Sequence, residues 1–156
     1  MNPELNIDEL DLKLIQKMME NADHSYAELG EELHVSAGTI HVRIKKLSEL
    51  GVIKNKILKV DYKKIGLDVV AFVGVYLEKS SLYDSVAKQL KKIPQVVRLN
   101  YTTGSYSMFI EIVCRDIDQL RKVLHDDLQK VQGIERTETL ISLEESFNRA
   151  ALVVGP

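Results

Sequence analysis

Cysteine occurs once, as Cys114, in the middle of an apolar run. A lone thiol excludes an intrachain disulfide framework and a cysteine metal cluster, and it suits a reducing compartment. Long apolar stretches are missing too: none approaches the roughly 20 residues that a membrane-spanning helix needs. The acidic N-terminus has no charged-then-apolar leader. The expectation is a soluble, unexported, cytoplasmic protein with no membrane partner. Nor is there a surplus of positive charge, since 21 Lys and Arg face 23 Asp and Glu for a net charge of -2. Any nucleic-acid surface must therefore be local. His24, His34, His41 and His125 show no metal-ligand spacing with carboxylates or the cysteine, so each reads as a surface histidine and neither metal nor cofactor is expected. Asp126 and Asp127 read as a solvated helix face rather than an acid–base pair. The turn TTGSYS lacks both the lysine and the following helix of a phosphate-binding loop. No residue pattern points to catalysis.

What is present is segregated. At 156 residues and 45% hydrophobic, the chain can bury one core or two small ones, and its patterning favours two. Between Glu4 and Glu32 the acidic residues far outnumber Lys13 and Lys17, whereas from Ser36 to Lys59 the charges are Arg43, Lys45, Lys46, Lys54, Lys56 and Lys59 against Glu49 alone. Asp8 can cap a first helix running to Asn21, with Leu10, Leu14, Ile15 and Met18 as its apolar stripe. Ser25 and Glu28 form an S-x-x-E capping box for a short second helix, in which Leu29 and Leu33 face inward and Gly30 permits close contact. After a corner at His34 and Val35, Ser36 caps a third helix, with Val35 and Ile40 at the spacing of a hydrophobic staple. Ile40, Ile44 and Leu47 share one side of it. Gly38, Thr39, Val42, Lys45 and Lys46 spread over the other, flanked by Arg43.

Three helices in this order describe a helix-turn-helix, and the third has the composition of a recognition helix for the major groove of double-stranded DNA. Thr39, Val42 and Arg43 are expected nearest the bases, Ser36, Lys45 and Lys46 mainly on phosphates, with Gly38 and His41 completing the face. Beyond Gly51, Val52 to Val60 suits a small β wing carrying Lys54, Lys56 and Lys59 toward phosphates. An ordinary amphipathic helix with a solvated basic face accounts for the third helix alone equally well; its neighbours decide.

Residues 61–68 break the pattern and read as a linker between a winged helix-turn-helix domain, 1–60, and a second domain, 69–156. Val69 to Leu77 is apolar on both faces, hence a buried strand. Ser80 or Ser81 caps a helix with Leu82, Val86, Leu90 and Ile93 inside, ended by Pro94. Val96 to Thr103 and Tyr106 to Cys114 read as strands about a tight Gly104-Ser105 turn. Asp116 opens a helix with Ile117, Leu120, Val123, Leu124 and Val131 inward, closed by Gly133, and Ile134 to Leu143 is a last strand. The order βαββαβ is that of α+β ferredoxin-like domains, with both helices on one face of an antiparallel sheet. The other face would carry Phe72, Tyr76, Phe109 and Val113, which predicts a second subunit. A dimer also suits paired recognition helices about 34 Å apart on a two-fold site.

These residues resemble the Lrp/AsnC, or feast/famine, family of transcriptional regulators. The resemblance rests on LDLKLI, on SYAELGEELHVSAGTIHVRIKKLSELGVI, on YTTGSYSMFI and on TETLISL, and so covers nearly the whole chain. GTIHVRIKKL and YTTGSYS with TETLISL are more similar to the asparagine-responsive branch than to the leucine-responsive one, although Ser105 stands where that branch carries a histidine. The resemblance implies an amino-acid-sensing second domain, homodimers assembling into higher oligomers such as octamers, and a small amino-acid effector, asparagine among the candidates, bound where dimers meet.

The effector would then lie at Tyr101 to Ser107. Gly104 lets backbone amides approach a ligand, and Thr102, Thr103, Ser105 and Ser107 supply hydroxyls for its carboxylate. Asp127 and Gln129, late in the second sensory helix, are acceptors for its ammonium group. From the residues alone, a plain hairpin turn rich in Thr and Ser explains the same stretch better. The rival readings of the whole chain are a small ferredoxin-like enzyme, or the regulatory subunit of one, with an incidental helical N-terminus, and an architectural DNA-binding protein without an effector. The capped helix-turn-helix weighs against the first and the turn at Gly104 against the second.

Overall fold

A computed structural model describes residues 6–153. The chain forms two compact units; among these residues, one comprises 6–59 together with 147–153, the other 60–146. The first contains α1 (Glu9–Glu20), α2 (Tyr26–Glu32) and α3 (Ala37–Glu49). Each begins where the sequence places a cap. Asp8 and Asp11 form a reciprocal capping box on α1, Ser25 and Glu28 one on α2, and the Ser36 hydroxyl accepts from the Thr39 amide on α3. The core is small, with Leu14, Leu29, Ile40 and Leu47 fully buried and Ile15, Met18, Leu33, Val35 and Ile44 packed around them. His34, at φ 56°, makes the corner between α2 and α3. Gly30 is required there: a Cβ on it would lie 2.7 Å from the Val35 carbonyl oxygen and 3.3 Å from the Ala37 nitrogen.

The expected wing does not form. No strand spans Val52 to Val60, and Ile57 and Leu58 are 83% and 84% exposed. Val52 and Ile53 at its start pack on the helical core instead, and with Ile57 and Leu58 exposed a hairpin here would have no buried apolar face to hold it. Residues 61–68, read as the linker, begin the second unit with an ordered turn. The Asp61 carboxylate accepts from the Lys63 and Lys64 amides, a 3-10 turn spans Lys63–Ile65, and Gly66 closes it at φ 81°.

The second unit is an antiparallel sheet of β1 (Val69–Leu77), β2 (Val96–Tyr101), β3 (Met108–Cys114) and β4 (Ile134–Ile141), in the order β2-β3-β1-β4. In β1, Ala71, Val73 and Val75 pair with Ile112, Ile110 and Met108 of β3. All six are buried in one cluster with Val86 and Leu90 of α4 (Tyr83–Leu90) and Leu120 of α5 (Ile117–Lys122). Both helices therefore cover one face, as in a ferredoxin-like domain.

Register puts Phe72, Tyr76, Phe109 and Val113 on the other face. Phe72 stacks on Phe109 at 5.9 Å, and the Arg136 guanidinium lies 3.5 Å from the centre of the Tyr76 ring. Val113 is buried and the three aromatics are half-buried. Gly74 sits beneath the Tyr106 ring, which a Cβ there would meet at 2.4 Å.

Three details depart from the sequence reading. Neither Ser80 nor Ser81 caps α4, because a 3-10 turn at Ser80–Leu82 precedes it and no side chain caps its start. The strands about Gly104 are shorter, so residues 102–107 form a loop rather than a two-residue turn. The helix from Asp116 does not run regularly to Val131; α5 passes into a π turn, Val123–Asp127, and a 3-10 turn, Leu128–Lys130. The π turn brings Val123 and Leu128, five residues apart, into the same core.

Candidate nucleic-acid interface

Along α3 the apolar side is consumed by the core, and the other side is open. Val42 is 65% exposed, and Ser36, Gly38, His41 and Lys45 are exposed as well. With Asn6, Asp8, Thr39, Arg43 and Lys46 some of these residues line a concavity of about 640 Å³. Ser36, Gly38, Thr39, Val42, Arg43 and Lys46 thus share one surface, as their spacing predicts. Their polar groups are already engaged. The Ser36 and Thr39 hydroxyls lie 2.9 Å apart while Ser36 also caps the helix. The His41 ring packs on Tyr26, 5.7 Å between centres. Lys45 reaches Glu49 at 3.9 Å and is otherwise solvated.

The first helix supplies what the sequence reading missed. Asp11 is completely buried and bridges two cations of α3, its Oδ1 accepting from Arg43 Nη1 at 2.7 Å and its Oδ2 from Lys46 Nζ at 2.8 Å. Arg43 Nη1 also donates to both oxygens of Asp8, at 2.8 and 2.7 Å, and Lys46 Nζ to the Asn6 carbonyl at 2.6 Å. Burial acts to raise the Asp11 pKa, but hydrogen bonds from Lys46, Arg43 and the Asp8 amide outweigh it and hold the carboxyl below its usual value. Hydrogen bonds from the Arg43 side chain and the Asp11 amide lower that of Asp8. Arg43 is correspondingly held more firmly charged, through Asp8 first and Asp11 second. An acidic residue three positions after a helix cap was the available signal, since capping-box geometry points it back toward the helix start.

Of the wing lysines, Lys56 donates to the Ala22 carbonyl at 3.0 Å and Lys59 to the Asn148 carbonyl at 2.6 Å. Lys54 is exposed. Val153 N donates to Gln16 Oε1 at 2.8 Å, so the C-terminal segment belongs with the helical unit and not, as expected, with the sheet. Its polar backbone finds partners on α1 and at Lys59.

In the second unit, the loop after β2 is tied at its base. Thr102 N donates to Ser107 O at 3.2 Å, the Thr102 hydroxyl to Tyr106 O at 2.8 Å, and Ser107 N to Val75 O at 2.9 Å. Tyr101 packs on Tyr83 with centres 4.4 Å apart. Thr103, Gly104 and Ser105 are exposed, and Gly104 has φ 101° with open space around its Cα. Asp127 and Gln129 are exposed at the end of the π turn and in the 3-10 turn after it. Among the described residues, no hydrogen bond links them to the loop, and no group of three or more His, Cys, Asp or Glu is placed to hold a metal.

Residues 7–48 match the AsnC-type helix-turn-helix domain, and residues 70–152 match the Lrp/AsnC ligand binding domain. The chain is 41% identical to the regulatory protein AsnC of Escherichia coli K12 over 143 residues, 92% of this chain and 94% of that one. Its fold superimposes on the solved E. coli AsnC structure with a TM-score of 0.86 and 39% identity, covering 93% and 97% of the two chains. At 21% identity, the transcriptional regulator NMB0573 of Neisseria meningitidis, solved in complex with L-Met, shares the fold with a TM-score of 0.87, covering 94% and 96%. With a helix-turn-helix model and a ligand-domain model matched in sequence, and a full-length relative at this identity, the chain belongs to the Lrp/AsnC family of DNA-binding transcriptional regulators.

Proposed function

We propose that this regulator is a cytoplasmic homo-oligomer whose DNA binding or assembly responds to a small amino acid held at the loop Tyr101–Ser107, with Asp127 and Gln129 of a neighbouring subunit taking the ammonium group. The observation that carries the reading is the loop itself. Its ends are pinned by backbone bonds, while its tip presents Thr103, Gly104 and Ser105 to solvent in a conformation that only glycine adopts without strain. The L-Met bound to the Neisseria relative supports the ligand class. The likeness to AsnC makes asparagine the first amino acid to try, and Ser105 makes a panel necessary. The sheet face of Phe72, Tyr76 and Phe109 supports pairing of subunits, and assembly of dimers into octamers would bring several recognition helices to one DNA.

DNA then contacts α3 through Thr39, Val42 and Arg43 at the bases and Ser36, Lys45 and Lys46 at phosphates, with Gly38 and His41 on the same face and Lys54 and Lys56 flanking it. The domain roles divide at residues 61–68, and we assign no catalytic step. Binding to DNA with and without each amino acid tests the whole reading. Gly104→Glu is expected to keep DNA binding and lose the amino-acid response; a variant that answers the same amino acid with unchanged affinity moves the site elsewhere.

A further inference from the structure

The concavity on α3 holds one carboxylate whose charge the helix cap does not require. Of its lining residues, Arg43 and Lys46 are cations and Asp8 is the sole anion. The two aspartates that grip Arg43 differ in kind. Asp11 is buried, with both oxygens occupied by Arg43, Lys46 and the Asp8 amide, and it anchors the side chains from below. Asp8 has a side chain 51% exposed, lines the concavity beside Ser36, Thr39 and Lys46, and takes the same Nη1 with both oxygens. Every bond from Arg43 to the two aspartates runs through Nη1, and among the described residues Nη2 and Nε make no hydrogen bond, so these donors remain for a base edge.

We infer that Asp8 is a specificity-determining residue of the DNA interface: its carboxylate competes with backbone phosphate for Arg43 and so suppresses binding to unselected DNA. A random duplex offers Arg43 only a phosphate, which must displace Asp8 and bring two anions together. A preferred site offers a base edge to the remaining donors of the guanidinium, and that contact, worth ~1–3 kcal/mol for a good bidentate pair, outweighs the competition. Discrimination thus comes from a repulsive element as well as an attractive one. Asp11 keeps Arg43 aimed in either state.

The inference rests on the reading that the Ser36–Lys46 face of α3 meets DNA, and the test separates the two. The full-length protein first enriches a duplex from a random-sequence pool; an unselected duplex of equal length and composition serves as the second probe. Asp8→Asn removes the charge and keeps a capping oxygen, asparagine being as good an N-cap as aspartate. Asp8→Ser repeats the change with a second uncharged cap. Affinity for the unselected duplex is expected to rise about two- to fivefold, the scale of an exposed ion pair. The slope of log K against log salt should steepen by about 0.9, one further phosphate contact. The enriched duplex gains less, so the ratio between probes falls. Glu9→Gln, which removes a neighbouring charge paired to Lys13 at 2.6 Å, leaves that ratio unchanged if geometry and not net charge is responsible. Unchanged or weaker binding of the unselected duplex by both Asp8 variants overturns the inference. Val42→Glu reports on the underlying reading: it abolishes binding if this face meets DNA, and if it binds as the wild type does, both ideas fall together.

Discussion

Asp11 illustrates what a residue's own neighbourhood adds to its type. In LDLKLI the apolar positions announce a core stripe, and the polar ones look like solvent positions. Periodicity says which side of a helix is buried; it does not say which polar residue lies on the seam where a second helix crosses. Asp11 lies there, 0% exposed, and the side chains of Arg43 and Lys46, 24% and 34% exposed, close over it. Asp11→Ala would leave both cations with Asp8 and the Asn6 carbonyl as partners. Breaking a fully buried pair costs ~3–5 kcal/mol; water still reaches these cations, so the expected loss is smaller, about 1–3 kcal/mol. Urea unfolding of the helical unit checks it, and a loss below about 0.5 kcal/mol would mean that the network is ornamental. Gly74 makes the same point in the sheet. A methyl group there meets the Tyr106 ring at 2.4 Å, so Gly74→Ala should cost about 1–3 kcal/mol by overpacking. Combined with Tyr106→Ala, its cost should largely vanish in a double-mutant cycle; additive losses would reject the contact as the cause.

At the level of elements, most of what depends on local chemistry was legible in the sequence, the exceptions being the cap expected at Ser80 or Ser81 and the turn built on Asp61. The caps at Asp8, Ser25, Ser36 and Asp116 hold, and Val69–Leu77 is a strand over the span its residues suggest. What depends on a distant partner was not. A turn at Asn55 between apolar residues has the composition of a hairpin, yet Val52 and Ile53 are taken up by the helical core and the residues after them stay irregular and exposed. The π turn escapes any reading of Ile117 to Val131 at spacings of three and four, because Val123 and Leu128 meet the core five apart. At the candidate sites, the exposed side of α3 could be read from its own spacing, its candidacy for DNA only together with the two helices before it, and its engagement by Asp8 and Asp11 needed the crossing of two helices. Gly30 joins the two cases. Its role in close packing was evident, and the structure identifies the neighbour as backbone, the Val35 carbonyl at 2.7 Å. In an open helix, replacing glycine with alanine gains about 1 kcal/mol. Here the carbonyl cannot rotate away as a side chain would, so Gly30→Ala is expected to destabilise the unit and weaken DNA binding through a shifted α3. Equal or higher stability in thermal melts would show that the corner yields.

Across the whole molecule, two separate cores imply two separate responses to acid. The helical unit closes on four buried leucine and isoleucine side chains, while the sheet unit buries a larger set, from Ala71 to Val131. The C-terminal segment follows the smaller unit, which its apolar but aperiodic sequence did not reveal. Depressed carboxyls are concentrated in that unit too: Asp8 and Asp11 through Arg43 and Lys46, Glu28 through the Ser25 cap, and Glu32 through Lys17. A carboxyl whose pKa is lower folded than unfolded binds its proton more readily in the unfolded chain. The stability it contributes is complete above the ordinary values of 3.8 for Asp and 4.5 for Glu and is lost as pH falls through the depressed ones. In the sheet unit the carboxyl held down in this way is that of Asp126, through the ring of His125. Calorimetry should therefore show two transitions, with the helical one nearly constant from pH 7 to about 5 and falling steeply below about 4, while the sheet transition moves less. Asp8→Asn should shallow the helical slope, since it removes one linked proton. Transitions that fall in parallel, or a sheet unit that melts first in acid, would contradict the assignment of the acid-sensitive charges to the DNA-binding unit.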